Sequence, residues 1–375
     1  PIGGENVKIG IIDADLLSRK KHRFPNLACM KISAYHKRRG HEVSLLLSYD
    51  EIENYDKVFL SKVFTDTPVP EGITELSWVE YGGTGFFFDK APNLPDEIEH
   101  HMPDYHLYDD FVNAHLEAGA KRGEFKEFLD YSIGFVTRGC FRKCGFCVNR
   151  KYDRVFCHSP LSEFYDPSRP KICLLDDNFF GYPKWREILL ELQSTGKPFK
   201  FKQGLDERLL TDEKCEVLCH SKYDGSITFA FDNVGDYRII EKKLRLIRKH
   251  TDKQFTFYVL CGYESQDAQD IRNVFVRIRL LMEYGCVPYI MRFEKYKDSS
   301  HRGMYITLAR WCNQPSFLKK KSFREFCLMR ADSTRYMTEF ERQYPEIATE
   351  YFDMKWSDFD GTRNNPAKPD YRSPL

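Results

Sequence analysis

The sequence predicts an α/β protein: an N-terminal Rossmann-like open sheet, then a partial (β/α)6 barrel of TIM type, then a mostly helical C-terminal extension. Three observations carry this. Short apolar runs that read as buried strands alternate with segments whose apolar residues recur at helical spacing, the pattern of parallel sheets covered by helices. The alternation breaks once, between residues 91 and 130, where three prolines and several acids read as a linker with helical pieces. From residue 301 onward the strand pattern is gone. The expected division is therefore residues 1–130, 131–300 and 301–375.

In the first segment, residues 7–13 form an apolar run ending in Asp13, which reads as a buried parallel strand. A helix over 26–39 stops at Gly40, a natural C-cap. Residues 42–47, 57–64 and 77–85 read as further strands, the last ending at Gly82, Gly83 and Gly85. Those glycines lack the spacing of a dinucleotide fingerprint, so a tight turn is the better reading than a phosphate cradle.

In the second segment the strands are expected at 131–136, 171–176, 199–203, 226–231, 255–260 and 287–292, with helices at 184–194, 211–221, 236–250 and 270–284, the last capped by Gly285. Six βα units make three quarters of a TIM-type barrel, and in such barrels chemistry gathers at the C-terminal ends of the strands. The residues expected there are a cysteine-rich loop after the first strand, then Asp176, Asp177 and Asn178, then Gln203 to Arg208, then Asp232 and Asn233, then residues 261–264. The extension after 301 ends in a polar, Pro-containing tail, 360–375, expected to be loosely ordered.

The chain has 375 residues, 42% of them hydrophobic, enough for two cores. It has no apolar run of about 18 residues and no secretory signal, so a cytoplasmic protein with no membrane contact is expected. Twelve cysteines in a chain of this size read as reduced thiols, most of them buried. The net charge of +1 hides an asymmetry: residues 1–139 hold 16 Lys and Arg against 23 acids, residues 140–375 hold 41 against 33. Basic stretches at 241–249 and 319–324 suit a polyanion, although solvated helix faces look the same in sequence.

Cys140, Cys144 and Cys147 stand in a C-x3-C-x2-C spacing, close enough for one loop to wrap three thiolates around one metal centre. Such soft ligands suit iron–sulfur or zinc. A structural zinc site wants a fourth ligand, for which Cys157 and His158 are the near candidates, whereas a four-iron cluster keeps one iron open for chemistry. His100, His101 and His106 match no closed site and read as surface residues of the connector.

With Phe146 before the last cysteine, and with the loop following the first strand of a βα series, residues 131–295 resemble the radical S-adenosylmethionine superfamily. The preceding Rossmann-like domain is similar to that of the subgroup with an N-terminal cobalamin-binding domain. The resemblance implies one 4Fe-4S cluster on Cys140, Cys144 and Cys147. S-adenosylmethionine would sit on the fourth iron, be cleaved reductively to methionine and a 5′-deoxyadenosyl radical, and so abstract hydrogen from a substrate. It places Gly145 and Phe146 near the adenine, and Asp176 and Asp177 where the family binds the methionyl ammonium, although a Gly-Gly-Glu type motif is the usual one there. Gln203, Arg208 and Asp232 become candidates for the cofactor's carboxylate or ribose. No catalytic residue is assigned. An electron donor such as flavodoxin or ferredoxin is implied, and the aromatic and basic residues at 293–311 suit a nucleotide or nucleic-acid substrate. The cobalamin family's Asp-x-His-x-x-Gly loop is absent: Asp13 is followed by Ala14, Asp15, Leu16, Leu17 and Ser18, so an axial ligand is not expected and the cofactor is left in doubt. The alternatives are a cobalamin-dependent methyltransferase and a non-catalytic zinc or iron–sulfur module that docks on nucleic acid.

Overall fold

The computed structural model describes residues 7–360. The chain divides into two compact units, Pro1–Lys202 and Gln203–Leu375. The division falls inside the segment read as the barrel. The tail expected to be loose lies, from residue 361, outside the described residues.

The first unit opens with strand β1 (Lys8–Asp13) and helices α1 (Ala14–Ser18) and α2 (Leu27–Arg38). Asn26 caps α2 by accepting from the amides of Ala28 and Cys29, and its last turn carries His36, Lys37 and Arg38, which suit the negative end of the helix dipole. Strands β2 (Glu42–Leu45), β3 (Lys57–Ser61) and β4 (Val79–Gly82) complete a parallel sheet of order β2-β1-β3-β4. Alternate residues of β1 and β3 feed two cores. Ile9, Ile11 and Phe59 pack with Cys29 and Met30 of α2, while Ile12, Val58 and Leu60 pack with Ile73 and Val79. The glycines after β4 are a tight turn, as expected. Gly83 has φ of 104°, and a Cβ there would lie 2.3 Å from the Lys62 carbonyl oxygen. A four-residue helix, α3 (Thr84–Phe87), follows.

The stretch 91–130 is more than a linker. It forms α4 (Asp96–Glu99), α5 (Asp109–Glu117) and α6 (Lys126–Leu129), and buries Tyr108, Phe111, Phe125 and Phe128 against α2 and β1. Its prolines punctuate these short helices and so mask a helical run of aromatics.

Strand β5 (Tyr131–Gly134) follows, then β6 (Thr137–Arg138), β7 (Phe156–Cys157) and β8 (Lys171–Leu174), then α7 (Trp185–Ser194) and β9 (Phe199–Phe201). β5, β8 and β9 pair in parallel, and β6 pairs antiparallel with β7. The expected βα alternation fails at β5. Between Cys147 and Lys171 the described chain makes only single 3-10 turns and β7, because Pro160, Pro167 and Pro170 interrupt it.

In the second unit, α8 (Asp212–His220), β10 (Thr228–Ala230), α9 (Tyr237–Ile247), β11 (Thr256–Cys261), α10 (Ala268–Glu283) and β12 (Val287–Arg292) keep the alternation, with β10-β11-β12 parallel. The six strands predicted for one partial barrel thus form two three-stranded parallel sheets, one in each unit. The C-terminal part is helical as expected: α11 (Arg302–Cys312), α12 (Pro315–Leu318), α13 (Phe323–Cys327), α14 (Ala331–Gln343) and α15 (Pro345–Tyr351). No described helix is long and apolar enough to cross a membrane.

Candidate metal centre

Parallel pairing of β5 with β8 sets Gly134 opposite Leu174, so the chain leaving each strand emerges beside the other. Leu175 N donates to Gly134 O at 2.9 Å and extends the ladder by one step. The next residues of β8's exit therefore meet the segment that leads into the cysteines. Asp176, 3% exposed, accepts from Thr137 N at 2.7 Å, Thr137 Oγ1 at 2.6 Å and Val136 N at 3.3 Å. Burial pushes its carboxyl up to about 7 against the pull of these donors. Asp177 accepts from Gly139 N and from Asn149 Nδ2, both at 2.7 Å, so one carboxylate bridges the residue before Cys140 and a residue after Cys147. Burial raises it too, opposed first by the Arg138 guanidinium, 3.8 Å away.

Gly139 has φ of 86°, and a Cβ there would lie 2.4 Å from Arg154 O, so the entry to the loop accepts only glycine. Across the loop, Lys143 Nζ reaches the carbonyls of Arg150 at 2.9 Å and Tyr152 at 2.5 Å and the Asp153 carboxylate at 2.6 Å. The antiparallel pair Thr137–Cys157 and Arg138–Phe156 closes it.

Cys140, Cys144 and Cys147 are half-buried thiols. Cys140 Sγ accepts from Arg142 N at 3.3 Å and Asn178 Nδ2 at 3.2 Å, and Cys147 Sγ from Asn149 N at 3.4 Å. Donors aimed at sulfur favour the anionic form that binds metal. Burial, together with the charges of Cys144 and Cys140, raises the Cys147 thiol, and a cation at the loop relieves both terms. Three soft donors with N–H partners on two of them fit a metal–sulfur centre. Among the described residues no three His, Cys, Asp or Glu side chains converge closely enough for a single metal ion. That includes Cys157 and His158, the near candidates for a fourth zinc ligand.

The other expected contacts fall as follows. Gly145 O accepts from Arg150 Nη1 at 3.3 Å, and Phe146 is half-buried on the loop. In the second unit Gln203 is exposed, while Arg208 is held by Asp206 at 2.7 Å and Asp236 at 2.8 Å. Asp232 lies two residues past β10 with its carboxyl raised to about 6 by burial, opposed by Arg277, whose Nη1 donates to the Phe231 and Asp232 carbonyls. In the first unit Asp13 accepts from Tyr108 OH and Leu16 N, and Asp15 from Val63 N, Phe64 N and Thr67 Oγ1. Both carboxylates at the end of β1 are thus used within the protein. Leu47, past β2, and Val63 and Phe64, past β3, are exposed apolar side chains, 47%, 47% and 42% exposed, with the Arg19 guanidinium over the Phe64 ring at 4.2 Å.

Sequence reasoning singled out the cysteines, Asp176 and Asp177, and placed Asn178 beside them at the strand end, but not the bonds by which Asp177 and Asn178 hold the loop. Asn149, Lys143 and Gly139 complete the loop and were not singled out. Of the connector histidines, His100 bonds Glu163 at 2.9 Å and lies 5.1 Å, ring to ring, from His158, while His106 pairs with Asp109 at 2.8 Å. His158 in turn lies 3.6 Å from Glu99, which Lys31 grips at 2.6 Å.

No protein-family model matches the chain, and no curated protein matches it. Among solved structures, two of the cobalamin-dependent S-adenosylmethionine radical enzyme OxsB are similar. The first, with aqua-cobalamin and S-adenosylmethionine bound, has a TM-score of 0.35 at 13% identity, and the second, with aqua-cobalamin bound, 0.34 at 13%. Each similarity covers 92% of this chain and 56% of the other, so the chain spans just over half the length of the solved chains it resembles.

Proposed function

We propose that Cys140, Cys144 and Cys147 hold a 4Fe-4S cluster and that the protein is a radical S-adenosylmethionine enzyme. When bound, such a cluster supplies one electron to the sulfonium of S-adenosylmethionine, giving methionine and a 5′-deoxyadenosyl radical that takes hydrogen from a substrate. The observation that carries the reading is the cysteine loop itself: three half-buried thiols on one loop, gripped at both ends by Asp177 and supplied with N–H donors. Asp176 and Asp177 position the loop in this reading. Asp176 spends both oxygens on Val136 and Thr137. Gly145, Phe146, Gln203, Arg208 and Asp232 remain the proposed contacts for the cofactor, and a nucleotide or nucleic acid the proposed substrate.

A structural zinc site is the weaker alternative. Tetrahedral zinc with bonds of about 2.3 Å brings its sulfurs to about 3.7 Å of one another, and no described trio of ligand side chains converges that way. A cluster seats each thiolate on a different iron and keeps the sulfurs further apart.

Anaerobic reconstitution should load about four irons per chain, and addition of a reductant and S-adenosylmethionine should release 5′-deoxyadenosine. A loaded cluster that yields none overturns the reading. The exposed apolar side chains Leu47, Val63 and Phe64 past the ends of β2 and β3 favour a second reading, cobalamin held without a protein axial ligand, as in a cobalamin-dependent methyltransferase. Titration with aquacobalamin, followed by its visible absorption, separates the two.

A further inference from the structure

Two stretches of the second unit that are basic in sequence meet in the fold. Residues 238–254 hold seven Lys and Arg against two acids, and 319–321 are three consecutive lysines. Helix α9 buries Tyr237, Ile240, Leu244 and Ile247, which leaves Arg238, Lys242 and Arg245 in a line on its other face, continued by Lys249 just past its end. From Arg238 to Lys249 the line runs about 16 Å at 1.5 Å per residue. It passes into the exposed Lys253 and Gln254, where Gln254 Oε1 accepts from Lys319 Nζ at 2.5 Å. That bond seats the exposed Lys319 and Lys320 beside the end of the line.

Some surface cations of this unit are matched by carboxylates, Arg279 by Glu350, Arg310 by Asp332, Arg324 by Glu341 and Asp353, while others, such as the exposed Arg302, Arg335 and Arg342, have no ion pair among the described residues. On this face Arg245 alone is matched, by Glu241 at 2.7 Å. Arg238, Lys242, Lys249, Lys253, Lys319 and Lys320 have no ion pair among the described residues, and the other acids at this face are the exposed Asp252 and the exposed Asp212, which pairs with His250 at 2.9 Å. Uncompensated like charges repel one another, so a face that keeps six of them is matched to a polyanion from outside.

We infer that this face is a docking surface for the phosphate backbone of a nucleic acid. A duplex presents a phosphate every 3.4 Å or so along each strand, so a line of about 16 Å faces roughly five phosphates of one strand. The loop of Lys253 leads into the start of β11, whereas Cys261 ends it, about 17 Å from that start at 3.3 Å per residue. The surface thus grips the body of a large substrate and leaves the C-terminal strand ends free. It rests on charge and placement alone and stands whether or not the cysteine loop carries a cluster.

The test is fluorescence anisotropy of the full chain, without added iron, on labelled 30-base-pair RNA and DNA duplexes. The parent should bind at 50 mM salt and lose several-hundred-fold in affinity at 200 mM, the loss on the order expected for five neutralised phosphates. The double variants Lys242→Glu with Lys249→Glu, and Lys319→Glu with Lys320→Glu, should each weaken binding at least tenfold, with unchanged thermal melts. The same charge change at the exposed Lys20 and Lys21 of the first unit should leave affinity within twofold. Absence of binding at 50 mM salt, equal loss in the Lys20 and Lys21 variant, or binding to phosphatidylserine vesicles without binding to either duplex overturns the inference. The salt slope of the parent decides even where a variant melts early.

Discussion

Asn178 gives its amide nitrogen to Cys140 Sγ and keeps its Oδ1 buried with no hydrogen-bond partner. A donor to a cluster thiolate drains negative charge from the centre and stabilises its reduced form. Asn178→Leu should keep the iron content of the parent and move the midpoint potential of the cluster to a more negative value, read by a redox titration followed by electron paramagnetic resonance. Gly139→Ala acts earlier, on the backbone: positive φ and a contact at 2.4 Å both forbid the methyl group, so this variant should load markedly less iron. Glu207 is a different case. It is fully buried, neither carboxylate oxygen has a partner, and burial, with Asp206 adding, holds its carboxyl well above the usual range against Lys243 and Arg248. The folded state therefore favours the protonated form. Its contribution to stability is complete below the unfolded value near 4.5 and drains as pH rises, by up to about 1.4 kcal/mol per unit. Glu207→Gln should melt like the parent at pH 4 and above it at pH 8.

Among the elements, α9 divides its labour by face. Leu244 is 0% exposed, so Leu244→Ala should cost about 2–5 kcal/mol in denaturant unfolding, while Lys242→Ala on the opposite face should change stability by less than about 0.5 kcal/mol. That face pattern is periodic, which is why α9 and its neighbours could be read from sequence nearly to their ends. β12 runs over 287–292 as expected, and α2 begins one residue after its Asn26 cap. Periodicity did not help where residues act singly. In 91–130 helical pieces were expected, but the prolines hid their bounds and their packing into the core, and the segment after β5 makes no α-helix because it wraps the cysteines. Nor does spacing reveal that Asp176 turns back onto Thr137. That follows from strand pairing, a long-range fact.

At the scale of the whole molecule, the cysteine census separates one functional group from the rest. Eight thiols are buried, Cys140, Cys144 and Cys147 half-buried, and Cys157 exposed. Alkylation of the native chain without iron, read by mass spectrometry, should therefore label these four first, and after cluster loading Cys157 alone. The C-x3-C-x2-C spacing made the candidate centre legible because it is local. The charge asymmetry was legible as a sum, yet which cations lack partners appeared only once the fold placed Lys319 against Gln254.

The β6–β7 pair and the Asp177 bridge tie the two ends of the cysteine loop together. Every one of those bonds joins protein atoms, so the entropy of closing the loop is met by folding and not by iron. An inorganic fragment caught by one thiolate then meets the other two at the high effective concentration of a short tether. Assembly on such a loop is cooperative, and chains carrying a fraction of a cluster should not accumulate during loading.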